Sequence, residues 1–219
     1  MARRAIAPYM WFALSGETGS GAEGVLFVDG PADLLPSYLR VHRRFPLPLV
    51  QEAIPPASPK YGVQCLFNGR GRLRAAYVQR FLRQYPLKAG PGSFFETVRR
   101  PDILERGVRL LELLDWRGVG QVEFMEDARD GRLKLLEVNP RFWDSLQAGI
   151  QAGLDFPYLL YRAAVEGDVE PHLDYRAGEA CRSIAWARAT RVASDGESAR
   201  SARPRRAWSA SRPNPIRPT

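Results

Sequence analysis

The sequence predicts an α+β fold of two lobes, in which helices flank mainly antiparallel sheets. Apolar segments of strand length are separated by short turn signals, and Asn68-Gly69-Arg70-Gly71 is the clearest of these turns. One amphipathic helix is predicted over Asp102–Leu114, with an apolar stripe formed by Ile103, Gly107, Leu110, Leu111 and Leu114. The Pro-rich segment Pro55–Pro59 follows the first group of elements, so we expect it to join the two lobes.

The first lobe is expected to span residues 1–55. A helix is predicted at Pro31–Phe45, because its opening proline suits a first turn and its apolar residues fall at helical spacing. The Gly-, Ser- and Thr-rich stretch Gly16–Gly24 is expected to be a flexible loop. Extended segments or strands are predicted at Ala5–Leu14, Gly24–Val28 and Pro48–Ile54.

The second lobe is expected to span residues 56–190 and is richer in predicted strands. Two hairpins are predicted, with strands at Gly62–Phe67 and Leu73–Phe81 and at Gly118–Met125 and Leu133–Val138. Between them a Gly/Pro loop, Pro86–Ser93, precedes the amphipathic helix. Two further helices are predicted after the second hairpin, at Ser145–Ala152 and Pro157–Glu166.

The basic charge of the chain is concentrated at its C-terminal end. Arg191–Thr219 contributes +5 of the net charge of +8, since it holds seven Arg against Asp195 and Glu197. The other 190 residues carry +3 and show no basic face, so nucleic acid is not an expected partner. We expect residues 191–219 to be a disordered tail, because they have little apolar surface to bury; weak binding of an acidic partner is the alternative.

The composition excludes several classes of protein. No run approaches the roughly 20 apolar residues of a membrane helix, and the N-terminus lacks the pattern of a signal peptide. The two cysteines, Cys65 and Cys181, are far apart, which favours a reducing compartment over a disulfide framework. Two histidines are too few for a histidine-rich zinc site. A cytoplasmic protein is therefore expected.

The side chains best suited to chemistry lie in the last predicted hairpin. Glu137, Asn139 and Arg141 alternate along its second strand and face the same side if the extended run continues. Glu123 lies within an apolar run of the first strand. With a turn centred near Asp130, Glu123 falls across from Glu137, and two carboxylates in such a position repel each other.

A divalent cation would resolve this repulsion. Mg²⁺ binds carboxylate and amide oxygens and is completed by water and substrate phosphates, so Glu123, Glu137 and Asn139 are candidate ligands. Arg141 would then lie where its guanidinium can hold a phosphate or a carboxylate in a bidentate fork. The alternative is that the two glutamates pair with Arg or Lys at the surface, and the pattern alone leaves both open.

The run VEFMEDARDGRLKLLEVNPRFWDSL, which begins at Val122, resembles the metal-binding core of the ATP-grasp superfamily. That superfamily includes carbamoyl-phosphate synthase, biotin carboxylase and D-alanine–D-alanine ligase. Its members hold Mg²⁺ or Mn²⁺, which bridge ATP phosphates, with an acidic residue on one strand and Glu-x-Asn on the next. The resemblance implies that Glu123, Glu137 and Asn139 are metal ligands. It also implies that Arg141 binds the phosphate or the acyl intermediate.

The resemblance extends from about residue 5 to residue 166, toward carboxylate–amine ligase-like members of the superfamily. It implies that PLVQEAIP holds the adenine hinge, in which the main chain at Gln51, Glu52 and Ala53 reads the base and Ile54 packs on the ring. The segment VQRFLRQYPLKAGPGS resembles the strand and loop that contact triphosphate and substrate. Arg80 is the main candidate there, with a predicted catalytic and ATP-binding role. Arg83 and Ser93 are secondary candidates, Ser93 for ATP binding, and Glu96 falls near the site in such proteins with no assigned role.

Two departures from the superfamily pattern are visible. A Lys-Pro pair commonly supplies a phosphate-binding cation, and here the pair is Ala7-Pro8. The upstream domain and its phosphate-binding lysine have no counterpart, so the first lobe is expected to be incomplete. The resemblance implies ATP- and Mg²⁺-dependent joining of a small-molecule carboxylate to an amine or thiol through an acyl phosphate. The alternative is an inactive fragment or nucleotide-binding module.

Overall fold

The computed structural model describes residues 10–13, 25–28, 30–84 and 90–183, and the α+β fold predicted from the sequence is confirmed in them. It contains a three-stranded and a six-stranded sheet, and every pairing between named strands is antiparallel. Several predicted segments lie outside the described residues, namely the whole Gly16–Gly24 loop, the Ala7-Pro8 pair, the first half of the Pro86–Ser93 loop and the tail 191–219.

The smaller sheet lies in the predicted first lobe, with the strand order β2-β1-β3. The first helix packs near β2 but buries no residue, and it ends before the predicted Phe45, where the chain turns. The bounds of these elements are β1 Met10–Ala13, β2 Val25–Val28, α1 Pro31–His42 and β3 Leu49–Glu52.

The larger sheet has the order β8-β7-β4-β5-β6-β9. Both predicted hairpins are present in it, as β4–β5 and β7–β8. Strands β6 and β9 were not predicted from the sequence. The elements of this part of the chain are β4 Lys60–Phe67, β5 Leu73–Gln84, β6 Gly92–Val98, α2 Pro101–Leu113, β7 Gly118–Glu126, β8 Leu133–Asn139, α3 Leu146–Gln151, α4 Phe156–Glu166 and β9 Ala180–Arg182.

Each face of the larger sheet has its own core. Helix α2 covers one face with Ile103 and Leu111, which are fully buried against β4, β5 and β7. The other face packs against α3, α4 and the segment before α3, with Tyr77 and Phe156 at the centre of that core. Since side chains alternate along a strand, every residue of β4, β5 and β7 belongs to one of these two faces. No helix among the described residues is long and apolar enough to cross a membrane.

Gly107 sets the distance between α2 and the sheet. A Cβ at this position would lie 2.7 Å from Cβ and both methyl carbons of Val63 on β4. We expect Gly107→Ala to lower the free energy of unfolding by about 1–3 kcal/mol, because the overpacked methyl outweighs the better helix propensity of Ala. Urea unfolding followed by circular dichroism measures this. Gly69→Ala is the matched control, since nothing lies within 4 Å of that Cβ; equal stabilities of the two variants would contradict the prediction.

An ionic cluster connects the smaller sheet to the β7–β8 turn. Glu52 of β3 accepts hydrogen bonds from Lys134 Nζ at 2.8 and 2.9 Å and from Arg129 Nη2 at 2.6 Å. Both cations also contact Asp127, whose side chain is 1% exposed, at 2.5 Å from Arg129 and 3.2 Å from Lys134. The predicted adenine-hinge strand is thereby tied to the hairpin that carries Glu123.

Candidate metal and nucleotide site

The pairing predicted between the two carboxylates is confirmed. Glu123 of β7 lies directly across from Glu137 of β8, and Gln121 lies across from Asn139. A bulge follows immediately, because Phe124 pairs with Leu135 and leaves Leu136 as the extra residue. The carboxylates therefore share one face of the sheet at the point where the ladder becomes irregular.

Asn139 is held by its amide nitrogen. Its Nδ2 donates to Glu137 Oε1 at 3.0 Å and to Gln121 Oε1 at 3.3 Å. With both N–H groups directed inward, Oδ1 is the atom left to accept a cation. An amide ligand of Mg²⁺ binds through this oxygen.

Lys60 occupies the position of a cation at Glu123. Its Nζ lies 2.5 Å from Glu123 Oε2 and 4.6 Å from the centre of the Phe81 ring. The contact is ionic, since Oε2 has no partner in hydrogen-bond geometry among the described residues. Burial raises the pKa of Glu123, Lys60 opposes that effect, and the neighbouring charge of Glu137 adds to it.

The residues present fit a divalent cation. Two carboxylates face each other across the hairpin, the Asn139 amide contacts one of them, and the Lys60 ammonium supplies positive charge at the other. Gly62 of β4 pairs with Glu123, and a Cβ there would lie 2.6 Å from Gln64 Nε2, so the close approach of the Gln64 amide requires glycine at this position. The described residues contain no group of three or more His, Cys, Asp or Glu at metal-binding distances. The ligands of a divalent cation at this site would therefore have to include the Asn139 amide and oxygens from a bound small molecule.

Lys60, Glu123 and Glu137 line a cleft of about 310 Å³, and Asn139 lies outside its lining. Arg141 is exposed in it, and its Nη1 donates to the carbonyl of Phe142 at 3.0 Å, which leaves most of the guanidinium available. Trp143 forms a buried wall. The lining residues are Lys60, Phe81, Gly90, Pro91, Gly92, Phe95, Gln121, Glu123, Glu137, Arg141, Trp143, Asp144 and Ser145.

A chain of buried amides runs beneath the cleft. Ser145 Oγ donates to Gln79 Oε1 at 2.6 Å. The Gln64 amide makes hydrogen bonds through both its nitrogen and its oxygen in one of its two orientations, and in that orientation its oxygen accepts from Gln79 Nε2 at 3.1 Å. Gln121 Nε2 donates to the same oxygen at 3.2 Å, and Gln121 Oε1 accepts from Asn139. The three glutamines are 0–3% exposed. Because such buried networks are rigid when satisfied, this chain fixes the orientation of Asn139.

Arg80 and Ser93 do not line this cleft. Arg80 lies on the opposite face of β5 from Phe81, and its Nη2 donates to Glu96 Oε2 at 2.7 Å across the β5–β6 pair. Ser93 is 3% exposed within β6, and its Oγ has no hydrogen-bond partner among the described residues. Their predicted contacts with ATP remain predictions that this geometry does not favour.

The predicted hinge residues precede the lining of a second cavity but are not part of it. Gln51 and Glu52 end β3, while Ala53 and Ile54 are 1% and 5% exposed. A cavity of about 300 Å³ begins just beyond them, at Pro56. Its lining consists of Pro56, Ala57, Ser58, Pro59, Lys60, Phe81, Leu82, Arg83, Gln84 and Met125. Arg83, the secondary candidate, therefore faces this cavity.

Sequence reasoning missed Lys60, Gln121 and the amides beneath the cleft. Lys60 reaches Glu123 only through the pairing of β4 with β7, which joins segments far apart in the chain. One signal was available: the 32 basic residues include only three lysines, and one of them directly follows the Pro-rich linker.

Comparison with known proteins supports the same fold. A family described as "ATP-grasp in the biosynthetic pathway with Ter operon" matches residues 44–185. No curated protein sequence matches the chain.

Three solved structures share the fold at low sequence identity. Biotin carboxylase from Campylobacter jejuni is 16% identical with a TM-score of 0.62, over 75% of this chain and 38% of that one. The biotin carboxylase domain of Hydrogenobacter thermophilus 2-oxoglutarate carboxylase, solved with MgADP, ADP and bicarbonate, is 16% identical with a TM-score of 0.65, over 80% of this chain and 40% of that one. N5-carboxyaminoimidazole synthetase from Staphylococcus aureus is 13% identical with a TM-score of 0.56, over 80% of this chain and 44% of that one. The chain thus spans less than half the length of each.

Proposed function

This chain belongs to the ATP-grasp family, and from that membership and the carboxylate pair we propose that it binds ATP with Mg²⁺ or Mn²⁺ for ligase chemistry. The observation that carries the proposal is the pairing of Glu123 with Glu137, with the Asn139 amide fixed beside them. A pair of opposed carboxylates is costly without a cation, and this pair opens on a cleft of nucleotide-phosphate size.

In the proposed reaction, Glu123, Glu137 and Asn139 would hold the metal. When bound, the metal would neutralise charge on the transferring phosphoryl group. Arg141 would bind the phosphate or the carboxylate substrate through its free guanidinium N–H groups and stabilise the charge that develops there. Trp143 and Phe95 would exclude water from the reacting groups.

The proposed substrates are a small-molecule carboxylate and an amine or thiol. Phosphoryl transfer from ATP to the carboxylate would form an acyl phosphate, and attack by the nucleophile would release inorganic phosphate. The solved structures with this fold include enzymes named for carboxylation. For this chain we propose that ATP activates a carboxylate. Arg141 is the residue we assign to this carboxylate.

Calorimetric titration with ATP tests the proposal. We expect the wild-type chain to bind ATP in a Mg²⁺-dependent manner and Glu137→Ala to weaken that binding at least about tenfold, because a metal ligand is lost. Glu105→Ala, an exposed glutamate of α2, is the matched control. A folded wild-type chain that binds no ATP with Mg²⁺, or equal affinities for wild type and Glu137→Ala, would contradict the proposal.

Nucleotide binding without turnover is the second candidate. It is favoured by Ala7, which stands where a phosphate-binding Lys is common. Release of inorganic phosphate from ATP, screened with mixtures of carboxylic acids and amines, separates the two. Binding with no phosphate release under any mixture supports the module.

A further inference from the structure

Lys60 stands at the boundary between two cavities. It lines the carboxylate cleft together with Glu123, and it lines the cavity at the Pro-rich linker together with Met125. Phe81 is the other residue that both cavities share. A ligand with one end near the linker and the other at the carboxylates must therefore pass the Lys60 ammonium.

We propose that Lys60 is the phosphate-binding cation of this site and that its ion pair with Glu123 is the resting arrangement, exchanged when metal and nucleotide bind. The inference rests on the proposed function, in which the nucleotide base lies toward the linker and the terminal phosphates lie at Glu123 and Glu137. In the exchange, the divalent cation takes the place of the ammonium at Glu123, and the ammonium turns to the phosphate chain.

The net charge of the site changes sign when a divalent cation binds. Without a ligand, Lys60 leaves Glu123 and Glu137 with a net charge of −1. A divalent cation neutralises the two carboxylates and leaves the ammonium of Lys60 uncompensated. Phosphate oxygens are the natural counter-charge for this half-buried ammonium, because an unpaired charge partly removed from water is costly.

The side chain is built for such a movement. Lysine carries a compact charge on a flexible four-carbon stem, and the Lys60 side chain is 18% exposed. The Phe81 ring, 4.6 Å from Nζ, provides a favourable surface over which the ammonium can turn. The ammonium is held at Glu123 by one ion pair, with Nζ 2.5 Å from Oε2, so the exchange replaces a single contact.

The test compares Lys60→Met and Lys60→Gln with wild type by calorimetry, using MgATP, MgADP, adenosine and Mn²⁺ alone. We expect both variants to lose at least about tenfold in affinity for MgATP and MgADP, while their affinity for adenosine stays within twofold. Mn²⁺ alone should bind the variants more tightly than wild type, because no ammonium competes for Glu123. Lys60→Gln keeps a neutral donor beside Glu123 and is the variant to use if Lys60→Met fails to fold.

Arg106→Gln, an exposed cation of α2, is the control and should match wild type throughout. If wild type binds MgATP and the Lys60 variants bind it equally well, the inference is wrong and the proposed function stands. Equal losses for adenosine and MgATP also overturn it, since they indicate a structural role. If folded wild type binds no nucleotide, the proposed function and the inference both fail.

Discussion

Tyr77→Ala is expected to lower the free energy of unfolding by about 3–5 kcal/mol, the range for removal of a buried aromatic side chain. Tyr77 is fully buried, and its ring contacts the rings of Trp143, Phe156 and Tyr175. Its hydroxyl also accepts a 2.9 Å hydrogen bond from Trp143 Nε1. The truncation therefore leaves a cavity and an unpaired indole N–H in the core under the cleft.

Tyr77→Phe separates these two effects. It keeps the ring but leaves the Trp143 N–H without its acceptor, so we expect a loss of about 1–3 kcal/mol. Urea unfolding followed by tryptophan fluorescence measures both variants. A loss below about 1 kcal/mol for Tyr77→Ala would mean that this core collapses around the gap. Since Trp143 also lines the cleft, both variants should weaken nucleotide binding, and Tyr77→Ala should weaken it more than Tyr77→Phe.

Asp127→Asn is expected to cost about 3 kcal/mol at neutral pH, because it removes the buried carboxylate that Arg129 and Lys134 share and leaves them only Glu52, whose side chain is 49% exposed. The Asp127 side chain is 1% exposed, whereas those of Arg129 and Lys134 are 31% and 26% exposed. The loss therefore falls at the low end of the range for breaking a buried ion pair. Asp115→Asn, an 87% exposed carboxylate paired with Arg117, is the control and should cost less than about 1 kcal/mol.

The effect of Asp127 should depend on pH. Hydrogen bonds from Arg129 hold the pKa of Asp127 well below its ordinary value. A carboxyl with a lowered folded-state pKa stabilises the fold fully above the unfolded pKa of about 3.9, and this contribution disappears as pH falls toward the folded pKa. The difference between wild type and Asp127→Asn should therefore be larger at pH 7 than at pH 3. An unchanged difference at the two pH values would contradict this origin.

The local features of the chain could be predicted from its sequence. The hairpin at Asn68–Arg72 depends on a turn whose Asn68 side chain accepts from the main-chain N–H of Arg70 and Arg72, which is a local interaction. The stripe of α2 was also correct at Ile103, Gly107 and Leu111. Leu114 was included in that stripe but lies beyond the last helical turn and is 53% exposed.

The parts that could not be predicted depend on distant segments. Gly92–Val98 was expected to be loop up to Ser93, and it forms β6 because β5 and β9 pair with its two edges. Arg80 has the residue type of a phosphate ligand, but the position of Glu96 across from it supplies a nearer partner. The amides under the cleft carry no sequence signal, because single glutamines within strands are ordinary.

The arrangement of the two carboxylates has a consequence for how the chain folds. Glu123 and Glu137 meet across a hairpin whose strands are neighbours in sequence, so this contact closes a short loop and can form early. The pairing of β4 with β7, which delivers Lys60, closes a much longer loop. In the early hairpin the two glutamates repel each other in water, where salt screens the repulsion. The compensating ammonium of Lys60 arrives with the same strand pairing that buries Glu123.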